Sequence, residues 1–159
     1  MIPVVDRPEL TMLFTERAAD LREHAGQVSF PGGRLEPHET DPVAAALRET
    51  REEIGLAPEG IEILGYLADS LVGARYRVTP VVGLVQPGFT LRPDPVEVAD
   101  AFEVPFDFLM DPANHRASLR VVGSQSVTIY ELPYQGHRIW GATAGMVVAL
   151  YHVLTDSEG

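Results

Sequence analysis

A chain of 159 residues with 45% hydrophobic content and no cysteine is long enough to bury a core without disulfides or thiolate-bound metal. Its 23 acids against 12 bases leave a net charge of −11, a field that repels DNA, RNA and anionic membranes but leaves small phosphorylated ligands open. No apolar run reaches the roughly 18 residues of a membrane span, and no signal peptide is expected ahead of the fold, so one cytoplasmic domain over residues 1–159 is the expectation.

Residues 1–5 and 11–14 are β-prone runs separated by DRPEL, a strand-turn-strand pattern. The first run opens at residue 1, which fits either a tightly packed start or a chain that extends upstream. Residues 15–26 read as a polar connection. Residues 27–30 then alternate like a strand that runs into Pro31-Gly32-Gly33, where the backbone can turn tightly.

A helix follows. Asp41 suits the N-cap, Pro42 the first helical position and Gly55 the left-handed stop, while Val43, Ala46, Leu47, Thr50 and Ile54 recur at helical spacing as its buried face. Residues 61–67 and 76–84 are predicted strands, joined by a loop with Asp69, Ser70, Gly73 and Arg75. The Pro-rich loop 86–95 is longer than most connections, a place for substrate contact or motion. Residues 97–110 read as a short helix or turn broken by Pro105. A late hairpin is expected from 126–132 and 138–140 around Tyr134-Gln135-Gly136, and 142–154 as a helix apolar nearly all round and therefore buried. Strands with one amphipathic and one buried helix fit an α/β sandwich whose helices cover a sheet from both sides.

The chemistry concentrates on the first helix. Glu49 neighbours both Glu52 and Glu53 at i, i+3 and i, i+4, so three carboxylates share one stripe about a third of a turn from the buried face. Such a stripe is either a solvated acidic face or a site for a hard cation. With oxygen donors only, that cation would be Mg²⁺, Mn²⁺ or Ca²⁺ and not a structural zinc. Arg48 is spaced to pair with Glu52. The bases Arg17, Arg22 and Arg34, with His24, cluster before or within the glycine turn.

At this point the chain resembles the Nudix hydrolases, whose signature is G-x5-E-x7-R-E-U-x-E-E-x-G-U, U being aliphatic. Gly33, Glu39, Arg48, Glu49, Glu52, Glu53, Gly55 and Leu56 find counterparts. Two departures stand out: eight residues instead of seven separate Glu39 from Arg48, and Thr50 fills the first aliphatic slot. An extra residue in the loop before Asp41 spares the helix register and places Glu39 in question. A second stretch, LFTERAADLREHAGQVSFPGGR over residues 13–34, is similar to the motif of the coenzyme A (CoA) pyrophosphatase branch, with weaker similarity through 76–83, 97–116 and 139–145.

The resemblance implies a Nudix-type α/β/α sandwich with a mixed sheet, and Mg²⁺- or Mn²⁺-dependent cleavage of the pyrophosphate of CoA or acyl-CoA. Glu49 and Glu53 would bind metal, with Glu52 as a further ligand or the group that positions a metal-bound water. Glu97 would be a later acid, and Arg48 would orient a glutamate through Glu52. Arg17, Arg22, His24 and Arg34 are candidates for the adenosine 3′-phosphate and the pyrophosphate, and Gln27 belongs to the same motif. Gly32 and Gly33 set backbone shape, with N–H groups available to a phosphate. Phe30 and Pro31 read as packing residues, and Tyr76, Tyr134 and Trp140 as packing or adenine-stacking groups. Cleavage of ADP-ribose or NADH, or a non-catalytic nucleotide-binding module, are the alternatives; the pattern is silent on pairing of two chains.

Overall fold

The computed structural model describes residues 1–73 and 75–156. Its centre is β1 (Ile2–Val5), where all four residues are buried, as a strand covered on both faces requires. β1 pairs in parallel with β7 (Val81–Val85) and antiparallel with β2 (Thr11–Arg17), which makes the sheet mixed. β4 (Ile61–Tyr66) lies outside β7, and β3 (Val28–Ser29) pairs with the far end of β2, giving the order β3-β2-β1-β7-β4.

Consecutive residues of a strand point to opposite faces, and β2 shows what that achieves here. Phe14 packs on one face with Leu132, Ile139, Ala144 and Val147, whereas Leu13 packs on the other with Ile54, Leu56 and Val98. The first face carries β10 (Gln125–Tyr134), β11 (His137–Trp140) and α3 (Gly141–Asp156); the second carries α1 (Pro42–Ile54). The result is an α/β/α sandwich around a mixed sheet, as expected.

α1 is built as its caps dictate. Asp41 accepts a hydrogen bond from the Val43 N–H at 2.9 Å, and Gly55 at φ 76° donates to the Arg51 carbonyl at 2.9 Å. Thr50, in the slot usually aliphatic, is fully buried and returns its hydroxyl to the Ala46 carbonyl at 2.7 Å.

Several expectations are corrected. Residues 97–110 are mainly a strand, β8 (Val98–Pro105), followed by one helical turn, α2 (Phe106–Leu109). β8 pairs with β2 along its whole length, and Pro105 is tolerated because it closes the strand. The connection expected from residue 15 begins later, since Thr15, Glu16 and Arg17 remain in β2, the first two paired with both β3 and β8 and Arg17 with β8. The strand expected over 76–84 is split at Thr79-Pro80 into β6 (Tyr76–Val78), which pairs with β5 (Ser70–Val72), and β7. β9 (Arg116–Val122), not foreseen, is an exposed strand held by β10. α3 buries one face, Thr143, Ala144, Val147, Val148 and Leu150, while Ala142, Ala149 and the last turn and a half are exposed.

Candidate functional site

The turn after β3 closes on the acidic side of α1. The Gly32 N–H donates to Glu53 Oε2 at 3.2 Å. At Gly33 a β-carbon would lie 2.5 Å from the carboxyl carbon of Glu49, so the carboxylate occupies the space any side chain would need. Pro31 and Phe30 set this turn from behind, with Phe30 stacked on Phe14 at 4.8 Å as expected of a packing residue.

Glu53 is 7% exposed, and burial pushes its carboxyl up to about 7, partly offset by the Gly32 N–H and reinforced by the charges of Glu49 and Glu97. Burial also raises Glu49, against the pull of Arg48, with Glu52 and Glu97 adding repulsion. Glu97, exposed in the loop before β8, thus adds its charge to the same field. Its backbone carbonyl accepts from the Ala18 N–H at 3.0 Å, next to Arg17. The β2–β8 register shifts between Glu16 and Arg17, and the Arg17 charge pulls the Glu53 carboxyl down. The Arg17 Nε is buried and has no hydrogen-bond partner among the described residues. The Pro-rich loop 86–95 has a structural duty: the Arg92 and Asp94 N–H groups donate to the Ile54 and Glu53 carbonyls at 2.8 Å, satisfying the end of α1.

Arg48 makes the expected pair with Glu52 and adds two further acids to it. Its Nη2 bonds Glu39 Oε1 at 2.8 Å and its Nε bonds Glu39 Oε2 at 3.1 Å, while Nη1 reaches Glu49 at 3.0 Å and Glu52 at 3.2 Å. Glu39 is therefore the principal partner, and Arg48 holds its carboxyl below the usual range. The side chain of Glu52 is 57% exposed.

The basic candidates separate. Arg22 is exposed without an ion pair or hydrogen bond among the described residues. His24, at φ 55°, turns its Nδ1 to Gln27 Oε1 at 3.1 Å. Arg34 bonds the Tyr76 hydroxyl and lies over its ring, 4.8 Å from the centre. Tyr134 packs on Phe108 at 5.0 Å, and Trp140 lies under Arg138 beside a cleft of about 370 Å³ lined also by Glu16, Gln27 and His137.

Among the described residues no three Asp, Glu or His side chains converge tightly enough to enclose an ion. A buried carboxylate and a partly buried one, both with raised pKa values, clamped on a glycine turn and repelling one another, fit a cation that takes few protein ligands and keeps water or substrate oxygens for the rest.

A family model described as the NUDIX domain matches residues 1–122. The chain is 40% identical over 147 residues to Nudix hydrolase NudL of Photorhabdus laumondii, covering 92% of this chain and 79% of that one. It is 37% identical over 149 residues to NudL of Escherichia coli K12, covering 92% and 77%. The solved structure of the Nudix hydrolase RenU from M. smegmatis matches at TM-score 0.61 and 20% identity, over 99% of this chain and 81% of that one. A C. elegans Ap4A hydrolase matches at TM-score 0.57 and 18% identity, over 67% and 77%. At these identities the two structures bear on the fold, while the family model and NudL bear on descent. The chain belongs to the Nudix hydrolases, pyrophosphohydrolases that generally work with divalent metal ions.

Proposed function

We propose that residues 1–159 form a single Nudix domain that hydrolyses the pyrophosphate of CoA or acyl-CoA in the cytoplasm with Mg²⁺ or Mn²⁺. The products are 3′,5′-adenosine bisphosphate and (acyl-)4′-phosphopantetheine, and neither nucleic acid nor membrane is a partner. The observation that carries the hydrolytic part is the clamp of Gly32 and Gly33 on Glu53 and Glu49. The CoA part rests on the resemblance of residues 13–34 to the CoA pyrophosphatase motif.

Glu49 and Glu53 would hold the metal, and Glu52 would be a further ligand or position water. A divalent ion held there would supply charge neutralisation and a more acidic water. The chain's own groups do the rest. Gly32 occupies Glu53 Oε2, which leaves Oε1 for the site. Arg48, braced by Glu39, orients Glu49 through Oε1. Arg17, whose charge is felt at Glu53, offsets part of the negative charge of the pyrophosphate. Glu97 serves as the later acid.

The test is incubation with CoA, dephospho-CoA, ADP-ribose and NADH, with products separated by chromatography. CoA is expected to have the highest kcat/KM, and preference for ADP-ribose or NADH would sink the CoA assignment. Retention of all three helical glutamates favours an enzyme over a non-catalytic nucleotide-binding module.

A further inference from the structure

A cavity of about 220 Å³ is lined by Glu23, His24, Val72, Gly73, Arg75 and Tyr76. It joins segments far apart in the chain: the motif around His24 and the β5–β6 hairpin, where Val72 is opposite Tyr76. The guanidinium carbons of Arg34 and Arg75 lie 4.8 and 5.9 Å from the centre of the same Tyr76 ring. Among the described residues neither has a carboxylate within ion-pair distance, unlike Arg7, Arg48, Arg77 and Arg138. Two like charges gathered on one ring, in a protein with a net charge of −11, are a local inversion of the surface field. Glu23 is the one acid on the lining, and it is exposed. Arg75 offsets it and Arg34 supplies the surplus.

The position of this pocket is as telling as its charge. Arg34 directly follows Gly33, whose α-carbon abuts the Glu49 carboxylate, and the Arg34 carbonyl accepts from Arg48 Nη2 at 3.1 Å. The path from the acidic site to the pocket is therefore continuous, one residue step and one side chain long: Glu49, Gly33, Arg34, Tyr76, Arg75. Tyr76 thus belongs both to the pocket lining and to the run of contacts that begins at Glu49.

We propose that the pocket lined by His24, Arg75 and Tyr76, with Arg34 held on the Tyr76 ring, is a subsite for a terminal phosphomonoester carried on the ribose of the substrate, and that Arg75 is a specificity-determining residue. A phosphomonoester answers the surplus positive charge that Arg34 and Arg75 together leave over Glu23, and guanidinium forks match its oxygens. Arg34 is held ready by Tyr76, and Arg75, on the exposed turn, completes the clamp. This inference rests on the CoA reading and specifies how that substrate would be told from its dephosphorylated form.

The experiment measures kcat/KM for CoA and for dephospho-CoA, in Mg²⁺, with the wild-type chain and with Arg75→Ala and Arg75→Lys. The wild type is expected to prefer CoA by about tenfold or more, Arg75→Ala to lose most of that ratio, and Arg75→Lys to restore part of it. The ratio is insensitive to partial loss of folded protein, which lowers both rates together. A wild type that cleaves CoA but does not prefer it over dephospho-CoA, or an unchanged ratio in Arg75→Ala, overturns the subsite and leaves the CoA reading standing. A wild type that cleaves neither substrate overturns the CoA reading itself.

Discussion

Arg48 grips Glu39 with two prongs, Nη2 to Oε1 at 2.8 Å and Nε to Oε2 at 3.1 Å, across a loop one residue longer than the family pattern. A turn makes this possible: the Glu39 N–H donates to the Glu36 carbonyl and the Glu36 N–H to Glu39 Oε1, both at 2.8 Å. The extra residue is absorbed before the helix, and the acid still arrives.

Glu39 acts through Arg48, which makes it a positioning residue. Glu39→Ala is expected to lower kcat by roughly tenfold with a smaller change in KM, because a loosened Arg48 no longer fixes Glu49. Glu39→Ala combined with Arg48→Ala should be little worse than Arg48→Ala alone. Additive losses in that cycle would show that the two residues work separately.

Gly33→Ala places a methyl group 2.5 Å from the Glu49 carboxyl carbon and forces the carboxylate away. Hydrolysis should fall on the order of a hundredfold while the far-ultraviolet circular dichroism is retained. Wild-type turnover in this variant would mean that the position of Glu49 is immaterial. Glu53→Gln is likewise expected to lose most turnover and keep its fold, with CoA binding surviving better than kcat.

Glu53 also couples stability to pH. Its carboxyl is raised from 4.5 to about 7, so between those values the folded, metal-free protein binds more protons than the unfolded chain, and stability falls as pH rises. The loss is on the order of 3 kcal/mol, or roughly 5–10 °C in Tm, between pH 4.5 and 7. Thermal melts across that window should show the decline in wild type and a flatter profile in Glu53→Gln. Mg²⁺ should restore Tm most strongly above pH 7, where the carboxylate is already ionised.

The opposite sign holds at Glu103. Arg7 binds it at 2.8 Å through both Nε and Nη2, and holds its carboxyl below the usual value. The stability this provides is present above the unfolded pKa of 4.5 and is lost as pH falls through the lower folded value. Glu103→Gln should therefore melt below wild type at neutral pH, with the two curves converging in acid. A Tm difference that persists at low pH would assign the effect to packing instead.

Much of the site was legible in local pattern. Asp41, Pro42 and Gly55 mark α1 because caps are decided within a few residues, and the 3.6-residue period puts Glu49 and Glu53 beside each other while Thr50 and Ile54 turn inward. β8 was not legible in that way. Its residues pair with β2, more than 80 positions earlier, and nothing nearby announces that partner. The same holds for the loop 86–95, whose backbone donors terminate α1.

The sequence by itself determined the helix, its acidic stripe, the glycine turn and the α/β class, since each follows from periodicity or from conformations that one or two residue types favour. Only the tertiary structure decided which acid Arg48 holds, that Gly32 and Gly33 are spent on Glu53 and Glu49, and that Arg34 and Arg75 meet on Tyr76. Those contacts join groups that chain spacing leaves unrelated. They form because folding the sheet brings its strand ends together, and burial then makes each charge depend on the neighbour it is given.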